Sequence, residues 1–318
     1  MSYNLNSGYG ARAASSIPFA GCGKNFFVGD SSTANLNMLQ QIFGYDPDGD
    51  LRFHSTIDSA INECTASAGD KIYVMPGHTE ALSDAVSLNL DIAGISIIGL
   101  GSGNLRPTIT IDTATDATIP VTAVDITISN LIFTANFADI VSVFTLAAAQ
   151  NFTLDNCFFK STASAMNFLY IVDTDATTGR ANGLTIKNCK WIEPDIATLS
   201  MVKLDGDMTN ITIHNNYVDI GVNNNKAALM AIATIKSVFS LQMTDNLVYR
   251  LNTDTATGAI LLSTDQADNS GIVARNIVQH ADTFAELLIT ASSGLGTFEN
   301  YASGVAGASG YILPAVDS

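Results

Sequence analysis

Basic residues are scarce in this 318-residue chain. Lysine and arginine together number 14 against 30 aspartates and glutamates, which gives a formal net charge of −16. A protein that binds nucleic acid needs a basic surface to neutralise phosphates, and the same acidic balance discourages binding to anionic membranes. The composition therefore predicts a protein that binds neither nucleic acid nor a membrane.

Cysteine, long apolar runs and secretion signals are also lacking. The four cysteines, Cys22, Cys64, Cys157 and Cys189, are too few and too scattered for a disulfide framework. No segment approaches the roughly 20 apolar residues of a membrane-spanning helix, and the N-terminus shows no signal peptide. We therefore expect a protein made in the host cytoplasm without a secretion signal.

The common catalytic motifs are missing as well. The four histidines are isolated from one another, and no HExxH, CxxC or GxSxG pattern occurs. The single tryptophan, Trp191, corresponds to core positions in the other repeats, so we expect no exposed row of aromatic side chains for stacking on sugar rings. These absences exclude the common metalloprotease and serine hydrolase signatures and weigh against a polysaccharide depolymerase.

One short pattern, in contrast, is repeated many times: an alternating apolar strand, an asparagine and a second apolar strand. A period of about 30 residues with strand-like alternation is the signature of a solenoid. We predict an all-β fold, a single-stranded right-handed parallel β-helix solenoid with a short N-terminal capping helix and an extended N-terminal arm. The repeated asparagines are Asn130, Asn156, Asn188, Asn216, Asn246, Asn276 and Asn300.

We interpret these asparagines as one structural ladder. Each would lie at the bend between two strands, where its amide bonds to the equivalent asparagine about 4.8 Å along the axis. Asparagine also tolerates the left-handed backbone conformation of such bends. A binding role is disfavoured because buried amides are usually satisfied locally. Cys157 and Cys189 each follow a ladder position and are expected to stack as buried side chains, with a disulfide as the alternative.

The chain divides into three parts by this pattern. Residues 1–50, rich in small and polar residues at their start, form an N-terminal arm and a docking or capping segment. Residues 51–305 form the parallel β-helix, whose open end is covered by a helix at 56–67 with Ser55 as its N-cap. Residues 306–318 have lost the repeat and form a C-terminal tail that closes or extends the far end.

Four aspartates are the best candidates for chemistry. Asp173 and Asp205 are 32 residues apart, as are Asp175 and Asp207, which matches the length of one repeat at this point. The four carboxylates are therefore expected to lie close together on adjacent coils, with Arg180 able to pair with one of them. Three interpretations remain open: solvated turns, a Ca²⁺ site, or the acid pair of a polysaccharide-cleaving enzyme. No other cofactor is indicated.

The start of the first coil resembles a known superfamily. Residues 56–82 (TIDSAINECTASAGDKIYVMPGHTEAL) combine a helix, a GDxIxVxPG strand and the first turn of a coil. They are similar to right-handed parallel β-helix proteins of the pectin-lyase-like fold, and the likeness extends over about residues 51–305. Residues 27–53 (FVGDSSTANLNMLQQIFGYDPDGDLRF) resemble β-helical proteins encoded among the structural genes of tailed phages.

Two functions remain open, because one fold can serve many functions. The phage resemblance implies a non-enzymatic virion protein, a capsid decoration or surface appendage, and this is the function that we expect. It implies a homo-oligomer, with a trimer favoured, that contacts capsid or other virion proteins through the N-terminal arm. The alternative is a polysaccharide lyase, hydrolase or tailspike-type depolymerase that binds and cleaves a glycan with the four aspartates.

Overall fold

The chain folds as a parallel β-solenoid, as the repeat predicts. The computed structural model describes residues 23–29, 51–84, 88–163, 165–222, 229–233, 235–250, 261–264, 268–280, 289, 294–303 and 311–312. Within these residues the central coils pass in turn through an eleven-stranded, a ten-stranded and a six-stranded sheet, and successive coils pair in parallel. The predicted all-β solenoid is confirmed.

The eleven-stranded sheet precedes the asparagine bend in each coil. Threonines and other polar side chains alternate along its strands with buried Ile, Leu, Val and Met, which is the pattern of a strand with one solvated face. In spatial order its strands are Phe53–His54, Asn25–Val28, Lys71–Val74, Ser96–Gly99, Thr127–Ser129, Thr153–Asp155, Thr185–Lys187, Thr212–His214, Leu241–Thr244, Gly271–Ala274 and Leu295–Phe298.

The ten-stranded sheet follows the asparagine bend. Its strands, in spatial order, are Thr79–Leu82, Thr108–Ile111, Ile132–Ala135, Phe158–Ser161, Lys190–Thr198, Tyr217–Val222, Leu247–Arg250, Ile277–His280, Tyr301–Ser303 and Tyr311–Ile312. All neighbours pair in parallel except the last two, which are antiparallel. This antiparallel strand is the described part of the predicted C-terminal tail.

The third face of the solenoid is the six-stranded sheet. Its strands are Ile119–Val121, Ile140–Leu146, Phe168–Thr174, Ser200–Leu204, Met230–Ile232 and Leu262–Ser263. A short parallel pair, Met208–Thr209 and Val238–Phe239, lies in the following turn. A 3₁₀ helix spans Gly103–Leu105.

Side chains of equivalent positions stack inside the solenoid to form one continuous core. Phe133 and Phe159 stack with ring centroids 5.3 Å apart, and Trp191 is the next member of the same column. All three are buried. Burial of each such ring contributes about 1.5–3 kcal/mol, so the internal columns, rather than any single contact, hold the coils together.

A short helix, Ile57–Ile61, covers the N-terminal end of the core with Ile57, Ala60 and Ile61 buried. It is shorter than the predicted 56–67, and its N-cap is Thr56 rather than Ser55, because the Thr56 hydroxyl accepts the Ser59 N–H at 3.2 Å. The chain then turns, and the Asp70 carboxylate accepts the Thr65 N–H at 2.6 Å. No helix in the described part of the chain is long and apolar enough to span a membrane.

The N-terminal segment is partly built into the solenoid. Asn25–Val28 is a strand that pairs with Phe53–His54 on one side and Lys71–Val74 on the other. These residues therefore extend the β-helix beyond the boundary predicted at residue 51. The rest of the predicted arm, residues 1–22 and 30–50, lies outside the described residues.

Candidate functional site

The bend after the eleven-stranded sheet carries two adjacent columns of side chains instead of one ladder. The outer column has a left-handed backbone, with φ between 53° and 59°, and contains Asn130, Asn156, Asn188, Asn215, Asp245, Arg275 and Glu299. The inner column holds the next residue of each coil, Leu131, Cys157, Cys189, Asn216, Asn246, Asn276 and Asn300. The residue opposite Asn188 is Asn215, 27 residues on, so the predicted ladder residue Asn216 belongs to the inner column.

The four inner asparagines form a closed hydrogen-bonded ladder. Asn216, Asn246 and Asn276 each donate from Nδ2 to the Oδ1 of the next asparagine, at 3.0, 2.9 and 2.9 Å, and the last acceptor is Asn300. Each of those Oδ1 atoms also accepts a backbone N–H of the preceding coil at 3.0 Å. All four side chains are buried, so this ladder satisfies the bend and presents nothing to a ligand.

The earlier coils carry different groups at the bend. Cys157 and Cys189 occupy the inner column as buried free thiols, so the disulfide alternative is wrong. In the exposed outer column, Asn156 donates to Asn130 at 3.1 Å and Asn188 donates to the Asp155 carboxylate at 2.8 Å. These contacts are local to the bend, and they too support a structural role.

The four candidate aspartates do not converge. Asp173 lies opposite Lys203, 30 residues on, rather than opposite Asp205. Equivalent positions of these two strands of the six-stranded sheet are thus 30 residues apart, whereas the asparagine bend led us to expect 32. The two spacings differ because the turns after the six-stranded sheet differ in length from coil to coil. The expected register of Asp173 with Asp205 is therefore wrong, although these two carboxylates still come close to each other through Lys203.

Two of these aspartates belong to turns. Asp175 accepts the Thr177 N–H at 2.7 Å and lies 3.9 Å from Arg180, which confirms the expected role of that arginine. Asp207 accepts the Ser237 N–H at 2.9 Å and the Thr178 hydroxyl at 3.3 Å. Both carboxylates therefore already accept hydrogen bonds from turn residues of their own or a neighbouring coil.

The other two aspartates share one lysine on the outer face of the six-stranded sheet. Lys203 Nζ lies 2.7 Å from Asp205 Oδ2 and 3.3 Å from Asp173 Oδ1. The same ammonium lies 5.5 Å from the centroid of the Tyr170 ring. We call these four residues, Tyr170, Asp173, Lys203 and Asp205, the bridged-acid site. All four are partly exposed, so the site is open to solvent.

The charges of the bridged-acid site are set by partial burial. Burial raises the pKa of Asp173 above its ordinary value, although the adjacent Lys203 charge acts in the opposite direction. Burial alone would lower the pKa of Lys203, but the hydrogen bond to Asp205 and the charge of Asp173 raise it overall. Burial also raises the pKa of Tyr170. Lys203 is therefore a fixed cation, Tyr170 is neutral, and the protonated form of Asp173 is favoured relative to an ordinary aspartate.

This geometry limits the chemistry that the site can perform. The two carboxylate oxygens that share Lys203 lie closer together than the roughly 6.5–9.5 Å that separates the acids of an inverting glycosidase, and an ammonium fills the space between them. In the described part of the chain, no group of three or more His, Cys, Asp or Glu side chains is placed to hold a metal ion. The Lys203 ammonium thus lies between Asp173 and Asp205, where the sequence suggested a Ca²⁺ ion.

A row of aromatic and aliphatic side chains, interrupted by one lysine, runs along the outer face of the ten-stranded sheet, contrary to expectation. Its positions directly follow the inner bend column and pair in register from coil to coil. We call this row the outer stripe: Phe158, Lys190, Tyr217, Leu247, Ile277 and Tyr301. The inward column of Trp191 lies directly beside this stripe, and from that column alone no exposed aromatic row is expected. The signal is the apolar residue directly after the inner bend position.

Two solved structures are similar to this one. A rhamnogalacturonan lyase is 11% identical with a TM-score of 0.45, and the match covers 86% of this chain and 87% of that chain. The pectate lyase Bsp165PelA from Bacillus sp. N165, solved in complex with trigalacturonate, is 16% identical with a TM-score of 0.51, covering 94% and 89%. The chain has a pectin-lyase-like β-helix fold. No family model and no curated protein matches it.

Proposed function

We propose that this chain is a polysaccharide-directed protein and that a glycan contacts it at the bridged-acid site. The observation that carries the proposal is the half-buried Lys203 ammonium held between Asp173 and Asp205 on an outer face, beside the Tyr170 ring. The solved pectate lyase with a similar fold was complexed with trigalacturonate, which favours a glycan as the ligand class. This reverses the order of preference that the sequence alone suggests.

Sugar recognition needs the groups that this site contains. Carboxylates accept hydrogen bonds from sugar hydroxyls, an ammonium donates to sugar oxygens, and the faces of sugar rings stack on aromatic side chains. Three of these groups are already held in place by their mutual contacts, so little side-chain freedom is lost when a ligand binds. The site therefore suits a polyhydroxylated ligand better than an apolar one.

Asp173 is a candidate for proton transfer at the site, because it lies beside Lys203 and burial raises its pKa. Lys203 remains charged and Tyr170 remains protonated near neutral pH, because the pKa of each is raised. The pKa of Asp173 is also raised, so near neutral pH its protonated and ionised forms differ less in free energy than those of an ordinary aspartate. In a cleavage reaction Asp173 would exchange the proton, and Lys203 would stabilise negative charge on the substrate.

The test is a panel of neutral and acidic polysaccharides incubated with the full-length protein. Binding is measured by affinity electrophoresis, and cleavage by new reducing ends and by unsaturated products. We expect at least one polysaccharide to bind, and Asp173→Asn to slow any cleavage about 100-fold or more. Asp155→Asn is the matched control, since Asp155 pairs with Lys187 on another sheet. The absence of binding across the panel would contradict the proposal.

A second candidate is a non-enzymatic virion structural protein of a tailed phage, located in the virion. It is favoured by the C-terminal half of the outer stripe, where Leu247, Ile277 and Tyr301 are 40%, 51% and 46% exposed in register on three coils. Contiguous exposed apolar side chains are typical of an interface. On this proposal the stripe joins the subunits of a homotrimer, and the arm contacts capsid proteins.

The second candidate is tested by mass in solution and by imaging. Light scattering of the purified chain should give three times the monomer mass, and Ile277→Glu should return it to the monomer. Electron microscopy should then show the trimer attached to phage particles, and removal of residues 1–22 should abolish attachment. A protein that is monomeric and does not bind phage particles would contradict this candidate and leave the glycan proposal intact.

A further inference from the structure

The N-terminal part of the outer stripe combines an aromatic ring with two lysines. Lys160 Nζ lies 5.8 Å and Lys190 Nζ 5.6 Å from the centroid of the Phe158 ring. Lys190 is also 5.1 Å from the centroid of Tyr217 on the next coil. We call Phe158, Lys160, Lys190 and Tyr217 the lysine–ring patch. It lies on the ten-stranded sheet, whereas the bridged-acid site lies on the six-stranded sheet.

The two lysines of this patch lack acidic partners among the residues that the structure describes. Neither ammonium forms an ion pair within the described part of the chain, and their recorded side-chain contacts are with aromatic rings. Other cations are neutralised: Lys187 by Asp155, Lys203 by two aspartates, and Arg275 by Asp245. In a chain of net charge −16, the patch is a local cationic surface with unused binding capacity.

An acidic side chain, Asp219, lies on the same outer face and is hydrogen-bonded to Tyr217. Asp219 follows Lys160 and Ile192 along its column, so it lies two coils from Lys160, or about 9.6 Å. Its carboxylate lies 3.4 Å from the Tyr217 hydroxyl, which donates to it. The contact holds the Tyr217 side chain against its own strand and leaves the two ammonium groups unneutralised.

We infer that the lysine–ring patch binds a carboxylated glycan, such as a stretch of uronate residues. A sugar ring would stack on Phe158 while its carboxylate is held by Lys160 or Lys190, and Tyr217 would support the next sugar along the axis. The rings and ammonium groups are fixed to coils about 4.8 Å apart, which suits a stiff chain with regularly spaced carboxylates better than an acidic peptide.

This inference rests on the proposed function for its ligand class, although it concerns a different face of the molecule. The two sites have different parts in that proposal. The bridged-acid site carries two carboxylates and one ammonium, so it does not select for negative charge. The lysine–ring patch has unpaired positive charge and would give the acidic chain its affinity for an acidic polymer. Binding at the patch should therefore weaken with added salt.

The test measures binding of polygalacturonate to the full-length protein by calorimetry, beside its methyl ester, in which the carboxylates are uncharged. We expect the double variant Lys160→Gln/Lys190→Gln to bind polygalacturonate about five- to tenfold more weakly. The methyl ester should bind wild type weakly and be insensitive to this variant. Lys71→Gln/Lys187→Gln is the matched control, because it changes the net charge equally on another sheet.

Each other outcome is decisive. Equal affinity of wild type and the lysine double variant, or no binding of polygalacturonate by wild type, would overturn the inference. Polyglutamate that binds as tightly as polygalacturonate, with the same dependence on both lysines, would show that the patch recognises acidic chains in general. That result would overturn the glycan assignment. Loss of cleavage in Asp173→Asn with polygalacturonate affinity unchanged separates this inference from the proposed function.

Discussion

Replacing Asn246 by leucine removes the centre of the inner ladder without changing the size of the side chain. Asn246 is buried, and its Nδ2 donates to the Ile213 carbonyl and to Asn276 Oδ1, each at 2.9 Å. Its Oδ1 accepts the backbone N–H and the side-chain Nδ2 of Asn216, each at 3.0 Å. Leucine fills the same space and makes none of these four hydrogen bonds.

The magnitude follows from the groups that lose a partner. The Asn216 N–H and the Ile213 carbonyl lie in the bend, away from water, and each unsatisfied buried group costs about 1–3 kcal/mol. Burial of the leucine side chain offsets about 1.5–3 kcal/mol of this. The Asn216 and Asn276 amides retain other bonds. We therefore expect the free energy of unfolding to fall by about 1–3 kcal/mol.

The assay is urea unfolding followed by circular dichroism, with Asn188→Gly as the control. Asn188 is exposed in the outer column, and glycine tolerates the φ of 55° at this position. The control loses two hydrogen bonds at an exposed position, one donated to Asp155 and one accepted from Asn215. Because water can replace both partners, it should change the stability by less than about 1 kcal/mol. An unfolding midpoint for Asn246→Leu that equals wild type would refute the reasoning that the inner ladder is needed for stability.

Three further predictions concern single groups. Protonation of Asp173 stabilises the fold, because its folded pKa is raised. The wild type should therefore lose stability as the pH rises through the ordinary aspartate pKa, about 3.9, and above it. Melting measured across pH should not show this loss in Asp173→Asn. Cys157 and Cys189 should resist thiol reagents in the native protein and react without reductant in urea, since both are free and buried; labelling that requires a reductant would contradict this. Gly271→Ala should destabilise the last coils by about 1–3 kcal/mol in urea, because φ is 136° and a Cβ would overlap the neighbouring coil, whereas Gly296→Ala should be neutral.

The solenoid was predictable because its cause is local and repeated. Alternation within each strand and a bend residue after it are visible in every repeat, and stacking of like residues is the way such units bury their apolar faces. The same local logic predicted a helix and a GDxIxVxPG strand at the N-terminal end. The observed helix is shorter than the predicted one because the chain turns after Ile61.

The register between coils was not predictable from spacing alone. The sequence shows the distance between repeats, but it does not show which turn contains the extra residues. Asn215, rather than the predicted Asn216, lies opposite Asn188, and the 30-residue step in the six-stranded sheet brings Lys203 opposite Asp173. A bridged ion pair therefore replaced the acid pair expected from equal spacing.

The outer stripe was missed for a different reason. Successive residues of a strand face opposite sides, so the core column of Trp191 implies an outward column at Lys190 and its equivalents. Following that parity through each repeat would have found Phe158, Tyr217 and Tyr301 on the surface. The information was present in the sequence once the inward column was known.

The central claim, that a glycan contacts the bridged-acid site, is tested most directly by a crystal structure of the full chain with an oligosaccharide from the polysaccharide panel. We expect sugar on the outer face of the six-stranded sheet, within hydrogen-bond distance of Asp173 and Lys203. Sugar bound only on another face, or a six-stranded sheet that stays free at saturating oligosaccharide, would contradict it.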